Sequence, residues 1–185
     1  MIIWGITALG HDGAITVLRD GEIVFAAHSE RYSRIKNDPY LNNEIVEEAL
    51  TYGEPDEIVW YEKPWLKKTR QAWAGQWKEV FGKNTLPKPY LKKFFEKVPK
   101  ISYVRHHEAH AAAGAFTSPF EDAIVMVMDA VGEWDCISMW LYQYPNKLKL
   151  LHTESYPNSL GLLYSAFTQR VGSVSYTHLT LPTKA

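Results

Sequence analysis

The opening stretch through residue 28 constrains the fold more than any other part of the chain. Ile2-Ile3-Trp4-Gly5-Ile6-Thr7 is a short, almost continuous apolar run with the character of a buried strand, and Gly10-His11-Asp12-Gly13 follows as a tight turn. Ala14 to Leu18 and Glu22 to Ala27 read as two more strands joined at Asp20-Gly21, a dipeptide that readily takes the positive φ angles of a two-residue hairpin. The chain therefore opens as a meander of strands at 2–8, 13–19 and 22–28. A helix over about 41–52, strands at Ile58 to Tyr61 and Ile101 to Val104, strands near 123–129, 136–143 and 148–155, and a helix from Ser159 to Thr168 with Ser159 as its cap complete the pattern. Such interleaving predicts an α/β protein, a mixed sheet flanked by helices.

The strongest chemical signal lies in Arg105-His106-His107-Glu108-Ala109-His110-Ala111-Ala112-Ala113. The alanines favour helix, and residues four apart share a face, so the imidazoles of His106 and His110 can reach one ion. A zinc-protease helix is disfavoured, because it would need histidine at position 111, where Ala111 stands, and Glu108 points to another face. The alternative is structural: histidines at a helix start that cap it and bond a neighbouring strand. A third ligand candidate is Asp129, which emerges at the end of the apolar run Ile124 to Met128, close to Gly132.

A formal net charge of −1 conceals an asymmetric distribution. Between Glu62 and Lys100 eleven lysines and arginines face three glutamates, with Trp65, Trp73, Trp77, Phe81, Tyr90, Phe94 and Phe95 at roughly helical spacing. The simple reading is a pair of amphipathic helices with aromatics inward and lysines outward. The functional reading is a lid or basic wall beside an anionic substrate, with nucleic acid the least favoured partner. Cys136 has no partner for an internal disulfide and falls in an apolar strand pattern that suits packing. No leader-like start and no membrane-length apolar run is present in the sequence, so a cytoplasmic protein with no membrane partner is expected.

Several segments together resemble a known family: His11-Asp12-Gly13-Ala14, Asp20-Gly21-Glu22-Ile23-Val24, Ser29-Glu30-Arg31-Tyr32-Ser33-Arg34-Ile35-Lys36, His106 to Ala112, Asp129-Ala130-Val131-Gly132-Glu133-Trp134 and Asn158-Ser159-Leu160-Gly161-Leu162-Leu163-Tyr164. In this order they resemble the O-carbamoyltransferases of the nodulation-factor, cephamycin and aminoglycoside type, within the actin-like ATPase superfamily. The chain departs from the family pattern at Ala27-His28-Ser29 and at Asp129-Ala130, and residues 62–100 carry little of the likeness. The tRNA threonylcarbamoyl-transferring ATPases share the paired histidines, but the Glu30-Arg31 and Gly132-Glu133-Trp134 segments look like the small-molecule enzymes; a non-catalytic binding module is the other alternative.

The resemblance implies one lobe of an actin-like, ribonuclease H-like fold over residues 1–172, truncated, with a second lobe and a carbamoyl-adenylate-forming domain beyond it. Residues 173–185 resemble translated sequencing adapter. It further implies ATP and carbamoyl phosphate as substrates, carbamoyl-adenylate as the intermediate donor, and a small-molecule hydroxyl acceptor. A divalent metal, Fe2+ by analogy, would be held by His106, His110 and Asp129. His11 is the candidate general base, since an imidazole titrates near neutrality. Gly10, Asp12, Gly13 and Gly132 are placed at the phosphates, where glycine lets backbone N–H groups approach. Arg31, Arg34 and Lys36 are candidates for binding the acceptor or the carbamoyl phosphate group or, alternatively, are surface charges at a helix start.

Overall fold

The computed structural model describes residues 1–10, 12–82 and 86–172, so His11, Lys83 and the 173–185 tail lie outside the described residues. The chain divides into two compact units, Met1–Arg105 and the residues from His106 onward.

The first unit is built on a five-stranded sheet in the order β3-β2-β1-β4-β5. β1 (Ile2–Thr7), β2 (Ala14–Arg19) and β3 (Glu22–His28) form the expected antiparallel meander, and β4 (Glu57–Trp60) and β5 (Lys100–Tyr103) run parallel to β1. Asp20 and Gly21 turn the β2–β3 hairpin with φ of 51° and 91°, as the dipeptide requires. Alternation puts Trp4, Ile6, Ile15, Val17, Ile58 and Trp60 in the core. Helix α2 (Asn43–Thr51) covers them with Ile45, Val46 and Ala49, and Asn42 caps it by accepting from the Ile45 N–H. A short helix α1 (Glu30–Ser33) follows β3.

The basic segment forms α3 (Pro64–Trp73), α4 (Trp77–Phe81) and α5 (Pro87–Leu91). Its orientation corrects the expectation of aromatics inward. Of its aromatics Tyr90, Phe94 and Phe95 join the core, with Leu91 and Val98, whereas Trp65, Trp73, Trp77 and Phe81 are exposed. Lys68, by contrast, is buried, its Nζ bonded to the carbonyls of Val80 at 2.5 Å and Gly82 at 3.0 Å at the end of α4. The Glu79 carbonyl, 3.4 Å away, is a third acceptor, and carbonyls at a helix end hold an ammonium, a donor of three hydrogen bonds, better than they hold an indole.

The second unit comprises α6 (His106–Phe116), the antiparallel sheet β6-β7-β8 (Asp122–Gly132, Asp135–Gln143, Lys147–Ser155) and α7 (Leu160–Arg170). Among the described residues the eight strands thus fall into two sheets: the five-stranded one is mixed, as expected for the α/β class, whereas the expected single sheet is divided and its second part is antiparallel throughout. Alanine side chains let α6 lie close on its sheet: Ala111 packs against Val127 and Trp140. β7 alternates strictly, burying Cys136, Ser138, Trp140 and Tyr142. Ser159 caps α7 by accepting from the Leu162 N–H at 3.0 Å. Among the described residues no helix is long and apolar enough to cross a membrane.

Candidate metal centre

His106 and His110 stand one turn apart on α6 with their Nε2 atoms 3.0 Å from each other. Asp129 Oδ2 lies 3.0 Å from the same His106 nitrogen, and all three donor atoms fall within 4.8 Å of one another. Asp129 reaches them because β6 loses register with β7 between Met128 and Gly132. Such an irregularity re-aims a side chain that strict alternation would send elsewhere. His106 is buried, Asp129 partly so, and His110 exposed, which leaves one side of the cluster open. His110 and Asp129, with Met126 and Met128, line a cavity of about 300 Å³ on that side.

The electrostatics favour a cation. The hydrogen bond from His106 is the main cause that draws the Asp129 carboxyl down to about 2, with the Ala130 N–H, bonded to Oδ1 at 2.6 Å, helping against burial. Asp129 is therefore an anion at any physiological pH. Two imidazole nitrogens and a carboxylate oxygen suit a first-row divalent ion. Adjacent ligands on bonds of about 2.1 Å stand roughly 3 Å apart, which is the spacing around His106 Nε2. The residues present fit the metal that the resemblance implies.

His107 plays a different part from its neighbours. It is almost fully buried, with Nδ1 2.8 Å from Ser138 Oγ, and that oxygen also accepts the Trp140 Nε1–H at 2.8 Å. An indole can only donate, so Ser138 Oγ accepts from Trp140 and keeps both its proton and a second lone pair for the hydrogen bond with His107 Nδ1. Burial pushes the His107 imidazole down, keeping it neutral. The structural role envisaged for a histidine at this helix start thus belongs to His107, which bonds to β7. Ser138 and Trp140 were not picked out by motif reasoning; the period-two burial of β7 was the only signal for them.

Gly132 and Ser159 shape the same site. A Cβ at Gly132 would stand 2.9 Å from His106 Cγ and 2.9 Å from His107 Cδ2. The two imidazoles occupy the space a side chain would need, a packing reason for glycine distinct from phosphate approach. Ser159 Oγ lies 3.1 Å from the Asp129 carbonyl and 2.6 Å from that of Ala130, and a Cβ at Gly161 would stand 2.7 Å from the Asp129 carbonyl oxygen. The start of α7 is therefore seated on the backbone that carries Asp129.

The remaining candidates belong to the first unit. Gly13 donates its N–H to the Asp38 carbonyl at 2.7 Å and accepts from the Ser29 N–H at 2.7 Å, bringing Gly13 against the start of α1. Gly10 and Gly13 are close approaches: a Cβ would meet the Tyr61 hydroxyl at 2.9 Å and the Tyr40 carbonyl oxygen at 2.9 Å. Asp12 adopts φ of 51°. Arg31 is exposed and lies 3.4 Å from the Glu30 carboxylate, Arg34 takes φ of 60° at the end of α1, and Lys36 is exposed. The structure thus gathers Gly10, Asp12, Gly13, Arg31, Arg34 and Lys36 in one unit and His106, His110, Asp129 and Gly132 in the other.

Comparison with known proteins agrees with the sequence reading. The family model for the carbamoyltransferase N-terminus matches residues 2–178. The uncharacterised protein sll1178 of Synechocystis sp. is 37% identical over 196 residues, covering 92% of this chain and 32% of its own length. The nodulation protein NolNO of Sinorhizobium fredii is 27% identical over 166 residues, covering 83% of this chain and 24% of its own length. Among solved structures, YeaZ from Pseudomonas aeruginosa aligns with a TM-score of 0.42 at 13% identity, over 84% of this chain and 67% of that one. The chain spans about a third or less of the length of the two curated relatives. With its sequence matched almost throughout, the chain belongs to the carbamoyltransferase N-terminus family.

Proposed function

We propose that this chain is part of an O-carbamoyltransferase that uses ATP and carbamoyl phosphate and passes the carbamoyl group from carbamoyl-adenylate to a hydroxyl of a small molecule. The observation that carries the reading is the convergence of His106, His110 and Asp129 within 4.8 Å, in a family of carbamoyltransferases. These three residues would hold a divalent ion, Fe2+ being favoured by family analogy. When bound, that ion supplies Lewis-acid stabilisation of charge on a carbamoyl or phosphoryl oxygen. Asp129 contributes a permanent negative charge, and the Ala130 N–H keeps its Oδ1 occupied so that Oδ2 faces the histidines. His107, locked on Ser138, holds the first turn of α6 so that His106 and His110 share one direction. The exposed side of His110 and the cavity beside it leave room for substrate oxygens. His11 is the proposed base for the acceptor hydroxyl, and Gly10, Asp12 and Gly13 the proposed phosphate turn, with Arg31, Arg34 and Lys36 available to anionic groups. The second lobe and the adenylate-forming domain are proposed to lie in the rest of the protein.

The test is a titration of the purified chain with Fe(II), Mn(II) and Zn(II). One ion should bind per chain, and His106→Ala and His110→Ala should each weaken it by about tenfold or more, since losing even a hydrogen-bond partner of a ligand costs that much. Unchanged affinity in both variants would remove the site. For the reaction, a protein as long as the relatives, given ATP, carbamoyl phosphate, Fe(II) and a panel of hydroxyl acceptors, should form carbamoylated product by mass spectrometry, and His106→Ala should abolish it.

A further inference from the structure

One exposed aromatic of the basic segment, Trp65, stands at a cavity. Trp65, which is 70% exposed, and Tyr103, which is 40% exposed, line one cavity of about 560 Å³ in the first unit. That volume is within the range of small-molecule sites, and the cavity walls are almost wholly apolar. Pro64 and Pro87, each in the first turn of its helix, form part of those walls, and Pro87 is fully buried. Proline fixes its backbone angle, so these walls stand formed before any ligand arrives. The charged residues lining the cavity are both cationic, Lys63 and Lys88.

An indole left mostly in water forgoes a large hydrophobic gain, and a flat apolar body stacked on it would recover that gain. Two lysines at the same cavity, within a segment of eleven basic and three acidic residues, favour an anion and disfavour a cation. We infer that the cavity between α3, α5 and β5 is a binding site for a small organic anion with an aromatic or flat apolar body, stacked on Trp65 with its charge toward Lys63 and Lys88. This site does not depend on the proposed metal centre. Burial pushes the Tyr103 phenol up, so it meets the ligand as a neutral hydroxyl.

The probes are 1-anilinonaphthalene-8-sulfonate, an aromatic anion, and N-phenyl-1-naphthylamine, its neutral counterpart, titrated into the full chain by fluorescence. Trp65→Ala should weaken the sulfonate by about tenfold, equivalent to roughly 1.4 kcal/mol. The double variant Lys63→Gln, Lys88→Gln should weaken the sulfonate several-fold and leave the neutral probe unchanged. Phe81→Ala, which removes an exposed ring outside the cavity, and His106→Ala should leave both unchanged, with circular dichroism confirming that every variant folds. If Trp65→Ala behaves like Phe81→Ala, or if the two probes bind equally well and are indifferent to the lysines, the proposal is overturned. It is equally overturned if sedimentation shows a dimer that Trp65→Ala dissociates, because a second copy would then cover the cavity.

Discussion

Gly132 gives His106 the space its ring occupies: a Cβ at position 132 would stand 2.9 Å from His106 Cγ and equally close to His107 Cδ2. Gly132→Ala should therefore push both imidazoles aside. Overpacking of this kind costs about 1–3 kcal/mol. Urea unfolding should show that loss, and metal affinity should fall by about tenfold while the ligands themselves are intact. A variant that binds metal like the parent would show that His106 has no need of its present position.

The Ser138 hydroxyl joins His107 to Trp140 through two hydrogen bonds of 2.8 Å. Ser138→Ala would strand a buried indole N–H and a buried imidazole nitrogen, and each such group costs about 1–3 kcal/mol. The variant should lose stability on chemical denaturation, and the α6 amides should exchange faster with solvent. No change in either would mean that water replaces the hydroxyl at no cost.

Ser159→Ala should have an effect on both a helix and a ligand. The cap on the Leu162 N–H is worth about 0.5–2 kcal/mol, and the hydroxyl also reaches the carbonyls of Asp129 and Ala130. Loss of stability accompanied by weaker metal binding is the expected result. Loss of stability alone would confine Ser159 to capping.

Tyr90 accepts the Leu41 N–H at 2.6 Å through its phenolic oxygen, and burial is the main cause that pushes its pKa up to about 12. Tyr61 is pushed up further, also chiefly by burial. A folded-state pKa raised above the unfolded value of about 10 gives stability that is complete below that pH and is lost as the pH rises above it. Absorbance at 295 nm should show these two phenols resisting ionisation past about pH 10 until the first unit unfolds. Tyr90→Phe should cost about 1–3 kcal/mol at neutral pH, since it leaves a buried N–H without its acceptor. Ionisation of both at the ordinary value in folded protein would contradict their burial.

Local chemistry made much of this protein legible from its residues alone. The Asp20-Gly21 hairpin, the alanine-rich histidine helix and the Ser159 cap depend on neighbours in sequence, so spacing and propensity were enough to find them. The pairing of His106 with His110 follows from the pitch of a helix. The position of Asp129 beside them does not, because it rests on a register break in β6 that only strand pairing creates. The same holds for His107: helical spacing leaves it out of the pair, but only the buried hydroxyl of Ser138, 31 residues away, assigns it to structure. Trp65 and Lys68 show the limit most plainly. Helical period marks which residues share a face, but which face is buried depends on what packs against it, and here tertiary contacts buried a lysine and left the tryptophan at a cavity.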